Sequence, residues 1–263
     1  MKIFVVGDPH GVLPKKIPKN IDLILITGDL GKADLARKIA FENTERRKDG
    51  LPKREITKIE AKKIHMEIHN STLNILKYYS KYAPVYSIQG NVGIPNLSQI
   101  REDKKKYGIN IPYTLDIVNK INNVHLVKNQ LRIINKLRIG FLEYFVDTCW
   151  IKEFGEKDKK RINKSKKETE KAKRILKRFK NLDILVCHQP PYNILDKVNF
   201  PGAPSYWKNK HAGSKIILDY VKKYQPKYVF CGHIHEAKGK AKIGKTQIYN
   251  VGNNGDYILL NID

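Results

Sequence analysis

The sequence predicts an α/β protein built on one mixed sheet or on two packed sheets, and three observations lead there. Six apolar, β-branched runs of strand length recur along the 263 residues, segments of helical length fall between them, and the chain ends in short alternating runs around a turn. With 41% hydrophobic residues the chain can bury a core, and its length suits one large domain.

The strand-like runs are "KIFVVGD" (2–8), "IDLILITGD" (21–29), "APVYSIQGN" (83–91), "LRIGFLEYF" (137–145), "LDILVCHQP" (182–190) and "KYVFCGHIH" (227–235). Their interiors are continuously apolar, as in strands covered on both faces. Helical patterning is clearest over 56–81, 165–180 and 214–224. Near the end, "GKAKIGKTQIYNVG" and "DYILLNID" flank "NNGD", a turn signal that predicts antiparallel strands closing a sheet edge. No Pro/Gly/Ser linker divides the chain, so residues 1–263 read as one domain. Charged helical insertions are expected at about 30–82 and 146–181, one of them a candidate cap.

The chain opens directly on a strand and holds no run of 18 apolar residues, so a soluble, cytoplasmic protein with no membrane association is expected. Cys149, Cys187 and Cys231 form no CxxC pair and read as reduced core thiols. The formal net charge of +25 favours anionic partners and says nothing about fold. Residues 152–180 hold 14 Lys or Arg against 5 Asp or Glu. No aromatic ladder runs through them, so base stacking is not indicated there.

Four apolar runs end in glycine followed by a polar residue: Gly7-Asp8, Gly28-Asp29, Gly90-Asn91 and Gly232-His233. Glycine lets backbones crowd where strand ends converge, and the C-terminal edge of a sheet is where α/β proteins place ligands. With their neighbours these ends supply Asp8, His10, Asp29, Asn91, His233 and His235, and the run that continues into "CHQPP" adds His188. Two carboxylates, an amide oxygen and four imidazoles are too many donors for one metal and suit two. Asp29 is the natural bridging carboxylate, through its two oxygens. His233 and His235, two apart on an extended segment, would face the same side and hold different ions, and Asp8 and His10 share that spacing. Two divalent ions, two aspartates and one bridging hydroxide leave about one net positive charge if the histidines are neutral, which favours a phosphate.

Through D-x-H, G-D, G-N, H and G-H-x-H at these positions, the chain resembles the calcineurin-like metallophosphoesterases. The resemblance implies two packed mixed sheets flanked by helices, a four-layer sandwich. It implies one metal on Asp8, His10, Asp29 and His235, and a second on Asp29, Asn91, His188 and His233. The implied activity is hydrolysis of a phosphomonoester or phosphodiester by a metal-bridging hydroxide. Mn²⁺ is the expected ion, with Fe, Ni or Zn accepted by the same donors.

The pattern departs from the family at Val92, where a proton-donating His is common, and Gly93 supplies no acid in its place. His211, in the loop "FPGAPSYWKNKHAGSK", is the candidate replacement. Ser214, at a helix start whose free N–H groups suit a phosphate oxygen, and Asn91 are the expected substrate contacts. Asp34 and Glu143 are candidate partners for ligating histidines. Two further readings stay open. One is a metal-bearing or metal-free interaction scaffold, favoured by Val92 and Gly93. The other is a nuclease whose basic surface, residues 152–180 above all, follows a nucleic-acid backbone.

Overall fold

The computed structural model describes residues 1–155 and 157–262. β1 (Lys2–Val6) and β2 (Leu23–Ile26) come first, followed by α1 (Asp34–Lys48) and α2 (Lys58–Tyr79). β3 (Val85–Ser87) leads into α3 (Leu97–Tyr107) and α4 (Thr114–Val118). Next come β4 (Val124–Leu126), β5 (Leu131–Ile134), β6 (Leu137–Leu142), α5 (Thr148–Glu153) and α6 (Lys159–Arg178). β7 (Ile184–Cys187), α7 (Lys215–Tyr224) and β8 (Tyr228–Cys231) precede β9 (Gly239–Ile243), β10 (Thr246–Asn250) and β11 (Tyr257–Asn261).

The strands form two mixed sheets, ordered β11-β1-β2-β3-β4 and β5-β6-β7-β8-β10-β9. Strands β1 to β4 run parallel with β11 antiparallel at the edge. In the other sheet β6, β7, β8 and β10 are parallel, and β5 and β9 close the edges antiparallel. Period-two alternation sorts the side chains into layers. Val5 and Leu25 of the first sheet pack with Phe141, Val186 and Phe230 of the second, so the sheets stack face to face. Phe4, Val6, Ile24 and Ile26 point the other way, onto Ile75, Leu76 and Tyr79 of α2. Leu185, Val229 and Cys231 meet Ile175 and Leu176 of α6 and Ile217 and Val221 of α7. The result is the four-layer helix–sheet–sheet–helix sandwich, and it resolves the choice left by the strand pattern.

The helices start where capping chemistry permits. Thr57 and Glu60 form a reciprocal capping box ahead of α2, Asp158 caps α6, and Ser214 caps α7. Within the segments read as charged insertions, α2 and α6 bury apolar stripes in the two outer cores. In α1, only Ile39 and Thr44 are buried.

Two sequence expectations need correction. "NNGD" does not join paired strands: the hairpin is β9–β10, turning at Gly244 and Lys245, while 252–256 carries the chain across to β11 in the other sheet. Strands β4 and β5 went unread because β4 is only three residues long and β5 is an edge strand with exposed positions, neither giving a continuous apolar run.

The stacked-sheet layer should dominate stability. Phe230→Ala, between the sheets, is expected to cost about 3–5 kcal/mol in urea unfolding, and Ile133→Ala, on an edge strand at 65% exposure, less than about 0.5 kcal/mol.

Candidate metal centre

The seven side chains singled out in the sequence converge at the C-terminal ends of β1, β2, β3, β7 and β8. Ligand atoms of Asp8, His10 and His235 lie within 4.8 Å of one another, and so do those of Asp8, Asp29 and His188. On one side His10 Nε2 is 3.3 Å from His235 Nε2, which is 3.3 Å from Asp8 Oδ2. On the other, Asn91 Oδ1 lies 2.9 Å from His188 Nε2 and 2.8 Å from His233 Nδ1.

By distance Asp8 is common to both groups, but it meets His188 through Nδ1, at 3.6 Å. That nitrogen faces the Thr27 carbonyl at 3.1 Å, so it carries the proton and leaves Nε2 as the donor toward a metal. Asp29 Oδ2 stands 3.8 Å from both His10 Nε2 and His188 Nε2, which suits an oxygen shared between two ions. Asp29 Oδ1 accepts the Val92 N–H at 2.7 Å, which orients the carboxylate.

The expected geometric reason for the imidazole placement also changes. His10, Asp29 and His233 have φ of 47°, 32° and 66°, in the left-handed region, and His235 begins a short 3-10 helix. No extended segment aligns the pairs. Tight turns do, and they send His233 toward Asn91 and His235 toward Asp8 and His10.

The supporting contacts fit a divalent ion. Thr27 Oγ1 donates to Asp8 Oδ1 at 2.8 Å and the His233 N–H donates to Asp8 Oδ2 at 2.6 Å. The Asn253 amide lies 3.1 Å from His235 Nδ1, fixing that ring from behind. Burial alone would raise the Asp8 carboxyl, but the surrounding His188, His235 and His10 hold it well below the usual range. Burial pushes the His10 and His233 imidazoles down; the Arg37 cation adds to the effect on both, and the nearby carboxylates oppose it. Ionised carboxylates beside neutral imidazoles are what a metal requires of its ligands. A β-carbon at Gly90 would collide with Asp29 Oδ1 and His188 Cε1, and one at Gly232 with the Asp8 carboxylate. Glycine thus lets the ligands close in.

Arg37, on α1, was not found from sequence. Its Nη2 lies 2.9 Å from His10 Nε2 and 3.4 Å from Nδ1, so the guanidinium rests over the ring instead of in line with either nitrogen. Nothing in "DLARK" marks it, because its meaning depends on where α1 docks. Tyr144 was also missed, and its ring lies 5.7 Å from that of His188 and 5.5 Å from that of His233.

His211 is not in contact with the seven: its Nδ1 is paired with Asp196 Oδ1 at 2.7 Å, and its ring faces Tyr192. Ser214 is fully buried, donating to Asp147 Oδ2 and accepting from Ile217 N–H, so its hydroxyl serves the start of α7. Asp34 is exposed beside Lys32, and Glu143 accepts from Asn129; neither touches a ligating histidine. Cys231 is a core thiol, as are Cys149 and Cys187, and all three are unpaired. Lys128, Arg132, Lys171, Arg174 and Arg178 line an open cleft beside α6. No helix among the described residues is long and apolar enough to cross a membrane.

Residues 1–237 match the family model described as calcineurin-like phosphoesterase. Over 79 residues, 29% of this chain, the sequence is 38% identical to an uncharacterized protein of Methanocaldococcus jannaschii, and the match spans 33% of that protein's length. One solved crystal structure aligns with a TM-score of 0.54 at 13% identity, covering 98% of this chain and 94% of its own, a likeness of fold alone. The crystal structure of TT1561 of Thermus thermophilus aligns with a TM-score of 0.44 at 11% identity, covering 97% and 90%.

Gly90→Ala should keep the fold and lose the centre: by elemental analysis after Mn²⁺ loading and desalting, bound metal is expected to fall from about two ions to one or none, with far-UV circular dichroism unchanged. The histidines should also set the pH response of the metal-free protein. The folded-state pKa values of His10 and His233 lie below the ordinary 6.5, so below that pH the unfolded chain binds more protons at these two and stability falls. Asp8, ordinarily at 3.8 and lowered further, loses its contribution only at more acidic pH. Thermal melts in EDTA should show Tm dropping from about pH 7.5 to 5.5, over the histidine range, and His233→Asn should flatten that slope.

Proposed function

The chain belongs to the calcineurin-like phosphoesterase family, and from that membership we propose that it is a two-metal phosphoester hydrolase acting on a phosphomonoester or phosphodiester. The carrying observation is the convergence of Asp8, His10, Asp29, Asn91, His188, His233 and His235 at one sheet edge. Asp8, His10, Asp29 and His235 would hold one ion, and Asp29, Asn91, His188 and His233 the other. Mn²⁺ is the proposed occupant. When bound, the ions lower the pKa of water and draw negative charge off the phosphoryl oxygens.

The chain's own residues supply orientation and proton transfer. Arg37, whose charge reaches both His10 and His233, is placed to grip two phosphoryl oxygens with its planar fork. Asn91 stays exposed at the mouth and contributes its amide to the same phosphate. Val92 offers no proton, so the departing oxygen needs another donor. His211 is our candidate: Asp196, itself buried, fixes its Nδ1–H, which orients the ring and leaves Nε2 to carry the transferred proton. The three buried, unpaired thiols suit a reducing compartment, and we place the protein in the cytoplasm. The basic cleft beside α6 extends the proposal to nucleic-acid substrates.

One panel tests this reading: an aryl phosphodiester, an alkyl phosphodiester and a single-stranded oligonucleotide, each with Mn²⁺-loaded enzyme. Turnover of the aryl ester is expected, and no turnover of any ester with two metals bound would overturn the reading. Arg37→Ala should lower kcat/KM on both diesters by about 10²-fold with metal content retained. His211→Ala should cost about 10²-fold or more on the alkyl ester and little on the aryl one, whose leaving oxygen departs unprotonated. Use of the cleft requires an oligonucleotide KM that rises steeply with salt.

A further inference from the structure

Beside α6 the edge of the second sheet is open. β5 is the last strand of that sheet and pairs only with β6, and its Leu131 and Arg132 line the cleft of about 1100 Å³ between β5 and α6. In an antiparallel ladder only alternate residues bond to the partner strand. The Phe141 N–H donates to the Gln130 carbonyl, and with Leu131 opposite Gly140 the bonded positions of β5 are Arg132 and Ile134. The N–H and C=O groups of Leu131 and Ile133 therefore face outward, where a further strand would pair.

An exposed edge is commonly blunted by charge, and β9, at the far side of the same sheet, carries Lys240 and Lys242. β5 is different. Leu131 packs against the outer core, Ile133 on the same face is 65% exposed, and α6 stands alongside as a wall. Strand edge, apolar floor and helix wall are the parts of a groove that receives an extended peptide by strand addition. The groove is also cationic: Lys171, Arg174 and Arg178 of α6 and Lys128 and Arg132 on the other side line it, with no carboxylate beside them. None of the five has a salt-bridge partner among the described residues.

Charge alone would serve a nucleic-acid backbone as well. The rest of the cleft favours a peptide. Phe179, its one aromatic residue among those described, is buried and offers no ring for a base to stack on, while the outward groups of β5 alternate donor and acceptor as a peptide backbone requires. We propose that this cleft is a docking site for an extended acidic segment of a partner protein, which adds to β5 as a strand, lays its backbone along Leu131 and Ile133 and turns its carboxylates to the five cations. The proposal is independent of the hydrolase reading, since no residue of the metal centre lines the cleft.

The test uses the full chain and a fluorescein-labelled peptide alternating valine and glutamate over about six residues, the usual length of a strand, with anisotropy as the readout. Saturable binding is expected, at least about ten-fold tighter than that of the valine-lysine counterpart. Arg174→Glu combined with Arg178→Glu should weaken it about ten-fold or more, with far-UV circular dichroism unchanged. Two N-methylated peptides probe the strand itself. Methylating one alternate set of amides should cost at least about ten-fold and methylating the other set little, because only one edge of the added strand bonds to β5. Ile133→Pro, which removes an outward N–H and no bond to β6, should weaken the parent peptide about five-fold. If both methylated peptides bind like the parent, the contact is electrostatic only and strand addition is overturned. If the parent peptide does not bind, or a single-stranded oligonucleotide of equal charge binds the same cleft more tightly, the cleft is not a peptide site and the proposal falls.

Discussion

One buried carboxylate joins the two sheets where the ligands meet. Asp8 has no exposed surface, and it takes the Thr27 hydroxyl from the first sheet and the His233 N–H from the second. Its own N–H donates to the Gly252 carbonyl at 3.0 Å, and its carbonyl accepts from the Asn254 N–H at 3.1 Å. A buried ionised carboxylate is tolerable only when its lone pairs are satisfied. Neither sheet alone supplies enough donors. The stacking of the sheets and the charge on Asp8 are therefore one condition, and the crossing segment 252–256 is part of it.

The same demand explains the backbone around the site. His10, Asp29 and His233 sit in left-handed conformations that crowd a β-carbon, a cost on the order of 1–3 kcal/mol each. Hydrogen bonds between loops hold them there. The His10 N–H donates to the Asp29 carbonyl at 2.9 Å, and the Gly232 N–H to that of His188 at 3.0 Å. Each strained turn is thus clamped by the turn of another ligand. These backbone hydrogen bonds between loops fix where the imidazole nitrogens face one another.

Much of this was legible in the sequence, because strand ends carry their own signature. Apolar runs closed by Gly-Asp, Gly-Asn or Gly-His located six of the seven converging residues, since glycine at those points reflects close backbone approach, and His188 was found at the end of a run without glycine. Conformation was read less well: i, i+2 spacing suggested extended segments where turns do the aiming. Arg37 was invisible because a lysine- and arginine-rich chain hides one functional cation among many. The packing of Trp150 on Trp207 was invisible for another reason. Residues 150–154 and 206–207 lie far apart in the chain, and only the docking of loop against α5 places Trp150 beside Trp207. The "NNGD" turn misled because turn chemistry says that the chain reverses or crosses, not which sheet receives it.

Val92 shows how the loss of one side chain can leave its backbone indispensable. Its N–H holds Asp29 Oδ1, so the position still orients the carboxylate that lies 3.8 Å from both His10 and His188 while offering no proton. The groups our proposal turns to instead are Arg37 on α1, for the phosphoryl oxygens, and His211, on the loop that also holds Tyr206 and Trp207, for the proton. Helix α1 and this loop are joined, since Phe41 of α1 packs 6.0 Å from Trp207 and Ser205 N–H donates to Glu45 at 3.1 Å. On the roles we propose for Arg37 and His211, phosphate grip and proton delivery depend on the same contacts. A substitution that loosens α1 from the loop should impair both together, even where it touches neither the metal ligands nor the phosphate.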